Sequence, residues 1–148
     1  MKKPKITNTR MAGPDHAVQT VEGGSGRFMK SPCPDCPWRK DAVGVFPAEA
    51  FRHSASTAYD MAGSTFGCHQ AGNANPATCA GFLLRGAEHN MLVRVNERIH
   101  GEDYSKVHDG GHDLHGDYVE MAIANGVSPD DPVLAPCRRG SYALKPKD

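Results

Sequence analysis

The chain has 148 residues: 17 Lys and Arg balance 17 Asp and Glu, 39% of residues are apolar, and there are 16 Gly, 11 Pro and 5 Cys. That length suits one compact domain with tails, and no stretch approaches the roughly 18 apolar residues a membrane span needs. A neutral balance argues against a dedicated nucleic-acid protein, which carries a basic excess, and the Gly- and Pro-rich composition leaves a thin core that needs a disulfide or metal staple.

The charge is uneven along the chain. Residues 1–30 carry six basic residues against two acids, residues 102–137 carry eight acids against Lys106 alone, and residues 138–148 carry four basic residues against Asp148. The basic ends allow nucleic acid as a second-choice partner, but solvated tails are the simpler reading. The start, Met-Lys-Lys-Pro-Lys, has no apolar stretch behind it and so no secretory signal. The expected location is the cytoplasm of a bacterial host cell. In a reducing compartment structural disulfides are rare, and close cysteine pairs more often bind metal.

Residues 1–27 are polar and run into Gly23-Gly24-Ser25-Gly26; they read as a flexible basic arm. The metal-binding domain is expected over residues 28–128. Three prolines in residues 31–40 exclude a regular element there. Pro47 opens a helix whose face carries Ala48, Phe51, Ala55 and Tyr59, with Gly63 as its stop. Ser64-Thr65-Phe66 reads as a short extended piece and residues 70–78 as a loop. A long helix is expected from Cys79 to Ile99, with Leu84, Met91, Val95 and Ile99 on one stripe. Residues 102–116, rich in Gly, Asp and His, form a loop. A last helix runs from Asp117 to Asn125, with Asp117 as N-cap, Glu120 completing a capping box and Gly126 as stop. Residues 129–148 read as an extended basic tail. The expected fold class is mostly α, with a small α+β arrangement as the alternative.

The cysteines carry the chemistry. Cys33-x2-Cys36 has the spacing of a zinc knuckle, in which a turn brings two thiolates to one ion. Cys68 and Cys79 supply the second half, and Cys79 stands where the long helix begins. Adjacent residues seldom both ligate one tetrahedral ion, so Cys68 or His69 completes the set; Cys68 is favoured. The gap of 31 residues between the halves is longer than in common zinc ribbons. Four thiolates suit Zn2+, and a 4Fe-4S cluster is the alternative. A redox role for the CxxC pair is disfavoured, because no βαβ pattern surrounds Cys33.

Cys33-Pro-Asp-Cys-Pro-Trp-Arg, then Cys68-His69, then Cys79-Ala-Gly-Phe resembles the pattern of an uncharacterised family of short cysteine-rich proteins from actinobacteria and their phages. The resemblance spans residues 32–84. It implies a metal-type site and a bacterial or phage origin, and it implies no reaction.

Other residues invite a functional reading. Trp38, the sole tryptophan, reads as a lid packed over the metal site, or with Arg39 as an exposed partner contact. His108, His112 and His115, interleaved with Asp109, Asp113 and Asp117, could hold a second metal or a hydrolytic site, although Gly110-Gly111 argues against a rigid face and favours a solvated loop. Cys137 lies beside Arg138-Arg139, which would lower its pKa if it were exposed. Glu88 and His89 point about 100° apart on a helix, which suits a surface pair. The sequence thus predicts a phage-encoded zinc protein that serves as a module binding a host protein, with enzymatic activity left open and not favoured. An iron–sulfur redox or sensor protein and a metal-dependent hydrolase using residues 108–115 are the other two readings.

Overall fold

The computed structural model describes residues 3–14, 16–22, 26–72 and 74–139. It begins with an antiparallel hairpin of β1 (Lys5–Gly13) and β2 (His16–Glu22), in which Ile6 pairs with Val21, Arg10 with Val18 and Gly13 with His16. Ile6, Thr7, Thr9, Val18, Thr20 and Val21 are β-branched and suit a pleated surface. A hairpin alone is marginal in water. This one is held by the body: His53 Nε2 lies 3.1 Å from the Met11 carbonyl oxygen, and the His16 ring lies 5.4 Å from Phe46. Where a flexible arm was expected, the chain therefore forms a docked hairpin.

Helix α1 (Ala48–Ser54) starts after Pro47 and tightens into a 3-10 turn over Ala55–Ala58. It buries Ala50, Phe51, Ala55 and Ala58. The expected 79–99 helix is two helices, α2 (Ala80–Arg85) and α3 (Met91–Arg98). Two side-chain facts break it. A Cβ at Gly86 would stand 2.5 Å from the Trp38 ring, so the chain turns where only glycine fits. Asn90 is buried, accepts the Val93 amide on Oδ1 at 3.0 Å and donates from Nδ2 to the Ser64 carbonyl at 2.7 Å. It thereby caps a new helix and ties it to the preceding segment.

Helix α4 (Tyr118–Ala124) follows the expected pattern: Asp117 Oδ1 accepts the Glu120 amide at 2.9 Å, and Gly126 leaves with φ +103°. Glu120 reaches back to the Gly116 amide at 3.1 Å, one residue before the usual capping-box donor. The core gathers on Trp38, Phe51, Phe82, Tyr118 and Met121, all almost fully enclosed. Trp38 is its centre, with ring centroids 5.8 Å from Phe66, 6.4 Å from Phe82 and 6.0 Å from Tyr118.

The class is a small α+β fold, which corrects the mostly α expectation. Only 29% of the described residues are helical, in short pieces, and the N-terminal segment is a β-hairpin. Glycines against the tryptophan and proline-bound loops cut the periodic stretches short. The segment after residue 129 also departs from an extended tail. Asp131 caps a 3-10 turn at Pro132–Leu134, Leu134 is buried, and the Arg138 amide donates to the Ala58 carbonyl at 2.7 Å. The basic residues Lys145 and Lys147 lie outside the described residues. No helix among the described residues is long and apolar enough to cross a membrane.

Candidate metal centre

Cys33-Pro34-Asp35-Cys36 closes as a β-turn through the Cys36 amide and the Cys33 carbonyl, at 3.1 Å. Proline fixes the first central position, and Asp35 takes φ 60° at the second, the φ pattern of a type II turn. The second half is also tightly drawn. The Cys68 amide donates to Ala77 at 2.8 Å and the Cys79 amide to Phe66 at 2.9 Å, so the 69–78 loop is pinched at its neck. Cys79 is the N-cap residue of α2.

These turns bring residues far apart in sequence into contact. Cys36 Sγ and Cys79 Sγ lie 3.6 Å apart across 43 residues, and the Cys33 thiol interacts with those of Cys36 and Cys68. Cys36 and Cys79 are 0% and 2% exposed, and Cys33 and Cys68 are 7% exposed. No disulfide links them. The sulfurs meet in pairs: among the described residues no set of three or more His, Cys, Asp or Glu side chains is already arranged around a common ion position.

Backbone amides point at the sulfurs: Trp38 at Cys36, Gln70 at Cys33 and Cys68, and Ala71 at Cys68. Each such contact favours the thiolate. Burial and mutual repulsion still win. The Cys33 thiol is raised, first by its hydrogen bond with Cys36 and then by burial. At Cys36 the bond from Cys33 lowers the pKa, but the contact with Cys79 and burial push it up to about 12. Burial leads the rise at Cys68. A cluster of donors that cannot ionise together, yet carries amides aimed at its sulfurs, has the chemistry of a site that exchanges protons for a soft or borderline cation.

The neighbours brace this arrangement. His69 Nε2 lies 3.1 Å from the Pro34 carbonyl oxygen and its ring packs on Phe46, so it ties the two knuckle halves together while Cys68 faces Cys33. Arg39 forms a fork on Asp41 at 2.8 and 2.6 Å and reaches the Cys33 carbonyl at 3.4 Å. Trp38 is fully enclosed, which corrects its reading as an exposed anchor. A Cβ on Gly81 would stand 2.5 Å from the Trp38 Cβ, so the glycine of Cys79-Ala-Gly-Phe is a seat for the tryptophan of Cys-Pro-Trp-Arg. The sequence held both halves of this contact but nothing that joined them.

The histidine loop is built differently. His108 Nδ1 accepts the Gly110 amide at 3.1 Å at the surface, Asp109 accepts the Gly111 amide at 2.8 Å, and His112 is half-buried. His115 is 3% exposed; neither ring nitrogen is hydrogen-bonded, and Glu120 Oε1 stands 3.8 Å from Nδ1, too far for a hydrogen bond. Burial lowers its pKa. The three histidines thus do not share one ion position.

Cys137 also differs from expectation. It is buried, not reactive at the surface, and burial, aided by Asp117 and opposed by Arg139, pushes its thiol up to about 11.

Residues 28–138 match the model of a family of unknown function (DUF6283). The chain belongs to that family. The matched span contains both knuckle halves, the tryptophan core and the docked 129–138 segment. No curated protein and no solved structure matches the chain.

Proposed function

We propose that Cys33, Cys36, Cys68 and Cys79 hold one zinc ion and that the metal is the scaffold of a small binding module. The observation that carries this reading is the 3.6 Å approach of Cys36 and Cys79. Sulfurs about 2.3 Å from a tetrahedral centre lie about 3.8 Å from one another. A four-iron cluster places its thiolates on separate corners of a cube and needs them farther apart. The closed surroundings suit a structural site, since catalytic zinc keeps a position open to water or substrate. A metal closed off from substrate fits a binding role, and a host protein is the partner we propose. The resemblance of the cysteine pattern to actinobacterial and phage proteins supports a bacterial cell as the setting.

Elemental analysis of anaerobically purified full-length protein tests the proposal. One zinc per chain is expected, retained in Cys137→Ser and lost in Cys36→Ser. Cobalt should replace zinc with the visible spectrum of a tetrahedral thiolate site. A brown protein carrying iron and labile sulfide would replace the zinc reading with an iron–sulfur one. A chain that stays folded after exhaustive chelation would end both.

A further inference from the structure

Helices α2 and α3 border a groove of about 480 Å³. Its size falls within the range of small-molecule sites. Arg85 enters it from the last turn of α2, and Arg94 and Arg98 enter from successive turns of α3. Tyr104, Glu88 and Glu97 also line it. We propose that this groove binds a small ligand carrying a phosphate group, with the three arginines as its oxyanion contacts.

Three observations lead there. None of the three guanidinium groups is paired with a carboxylate among the described residues, although Arg39, Arg52 and Arg139 all are. The Arg94 Nε donates only to the Glu88 carbonyl, at 3.2 Å, which leaves its fork free to turn into the groove. The Arg85 Nε is enclosed and has no partner among the described residues. An enclosed N–H on a permanently charged group is costly unless an acceptor meets it, and planar guanidinium forks match phosphate oxygens two at a time. Three cations against two carboxylates leave the groove net positive. The same carboxylates oppose a long polyanion lying along it, so a compact ligand that brings one phosphate head to the arginines fits better than a nucleic-acid strand.

The site is independent of the cysteine cluster, so its failure leaves the metal reading untouched. Calorimetric titration of the full metal-loaded chain with ADP, inorganic phosphate, a glutamate-rich peptide and a short single-stranded oligonucleotide tests it. ADP is expected to bind, inorganic phosphate to compete with it, and Arg98→Gln to weaken ADP binding about tenfold or more, the usual effect of losing a charge-assisted hydrogen bond. Arg94 and Arg98 are exposed, so their substitution should leave metal content and thermal unfolding unchanged. The proposal is overturned if no phosphate probe binds at millimolar concentration. It is equally overturned if the Arg94→Gln/Arg98→Gln double variant binds ADP as the parent does, or if the peptide or the oligonucleotide binds more tightly than ADP.

Discussion

The knuckle around Cys33 and the loop from His108 to His115 are both dense in metal-ligating side chains, yet the fold treats them in opposite ways. In the knuckle, two pinched turns bring four buried thiols together in pairs, with backbone amides directed at the sulfurs. In the loop, local bonds satisfy His108 and Asp109 at the surface, while His115 turns inward alone. Ligand density in sequence is therefore a weak guide. What separates the two regions is whether rigid backbone brings ligating side chains from distant segments into contact. Proline and the closed Cys33–Cys36 turn do that; Gly110-Gly111, both at positive φ, do not.

The contrast can be broken most sharply by paired substitutions. Cys36→Ser should abolish metal binding and unfold the domain, because a structural zinc contributes roughly 10–16 kcal/mol, as much as the whole stability of a typical domain. His112→Ala should leave metal content unchanged and shift stability by less than about 0.5 kcal/mol. Metal analysis with circular dichroism reads both; equal metal loss in the two variants would erase the distinction.

Next in size is the packing that joins the knuckle to α2. Trp38→Ala should cost about 3–5 kcal/mol by chemical denaturation. Gly81→Ala should cost about 1–3 kcal/mol, since the added methyl would have to displace the tryptophan. A neutral Gly81→Ala would mean that Trp38 does not seat on α2.

A third effect is alkaline. The Cys137 thiol is raised from 9.0 to about 11, so its contribution is complete below about pH 9 and is lost as pH rises toward 11, while the unfolded thiol ionises first. At about 1.4 kcal/mol per pKa unit, the loss amounts to at most about 3 kcal/mol. Cys137→Ser should flatten this decline in denaturation midpoints, and an unchanged slope would refute it.

The smallest effect sharpens the histidine side of the comparison. Burial depresses the His115 pKa below 6.5, so its contribution is complete above that value and is lost as pH falls through it. The difference in stability between the parent and His115→Gln should shrink on acidification, read from denaturation midpoints. A difference that grows would mean His115 is charged in the folded protein.

Much of the local chemistry was legible in the residues. Asp117 at the start of α4 and Gly126 after it act as expected, because capping is settled by a side chain and the backbone two or three residues away. Pro47 and the apolar spacing after it mark α1 for the same reason. The hairpin at residues 5–22 was missed because its strands are polar and only docking on α1 makes them stable. The close seat of Gly86 on the Trp38 ring was not legible, because the ring lies far away in sequence.

The same division holds for the candidate centre. Cysteine type and spacing mark Cys33, Cys36, Cys68 and Cys79 as candidates, since a two-residue gap and a helix start impose their own geometry, but they do not say which sulfurs pair. Tertiary structure decided that His69 turns to Pro34, that Trp38 belongs to the core and that Cys137 is hidden. Those outcomes depend on which distant surface covers each side chain, and that follows from the packing of the whole chain around the tryptophan, not from any local run of residues.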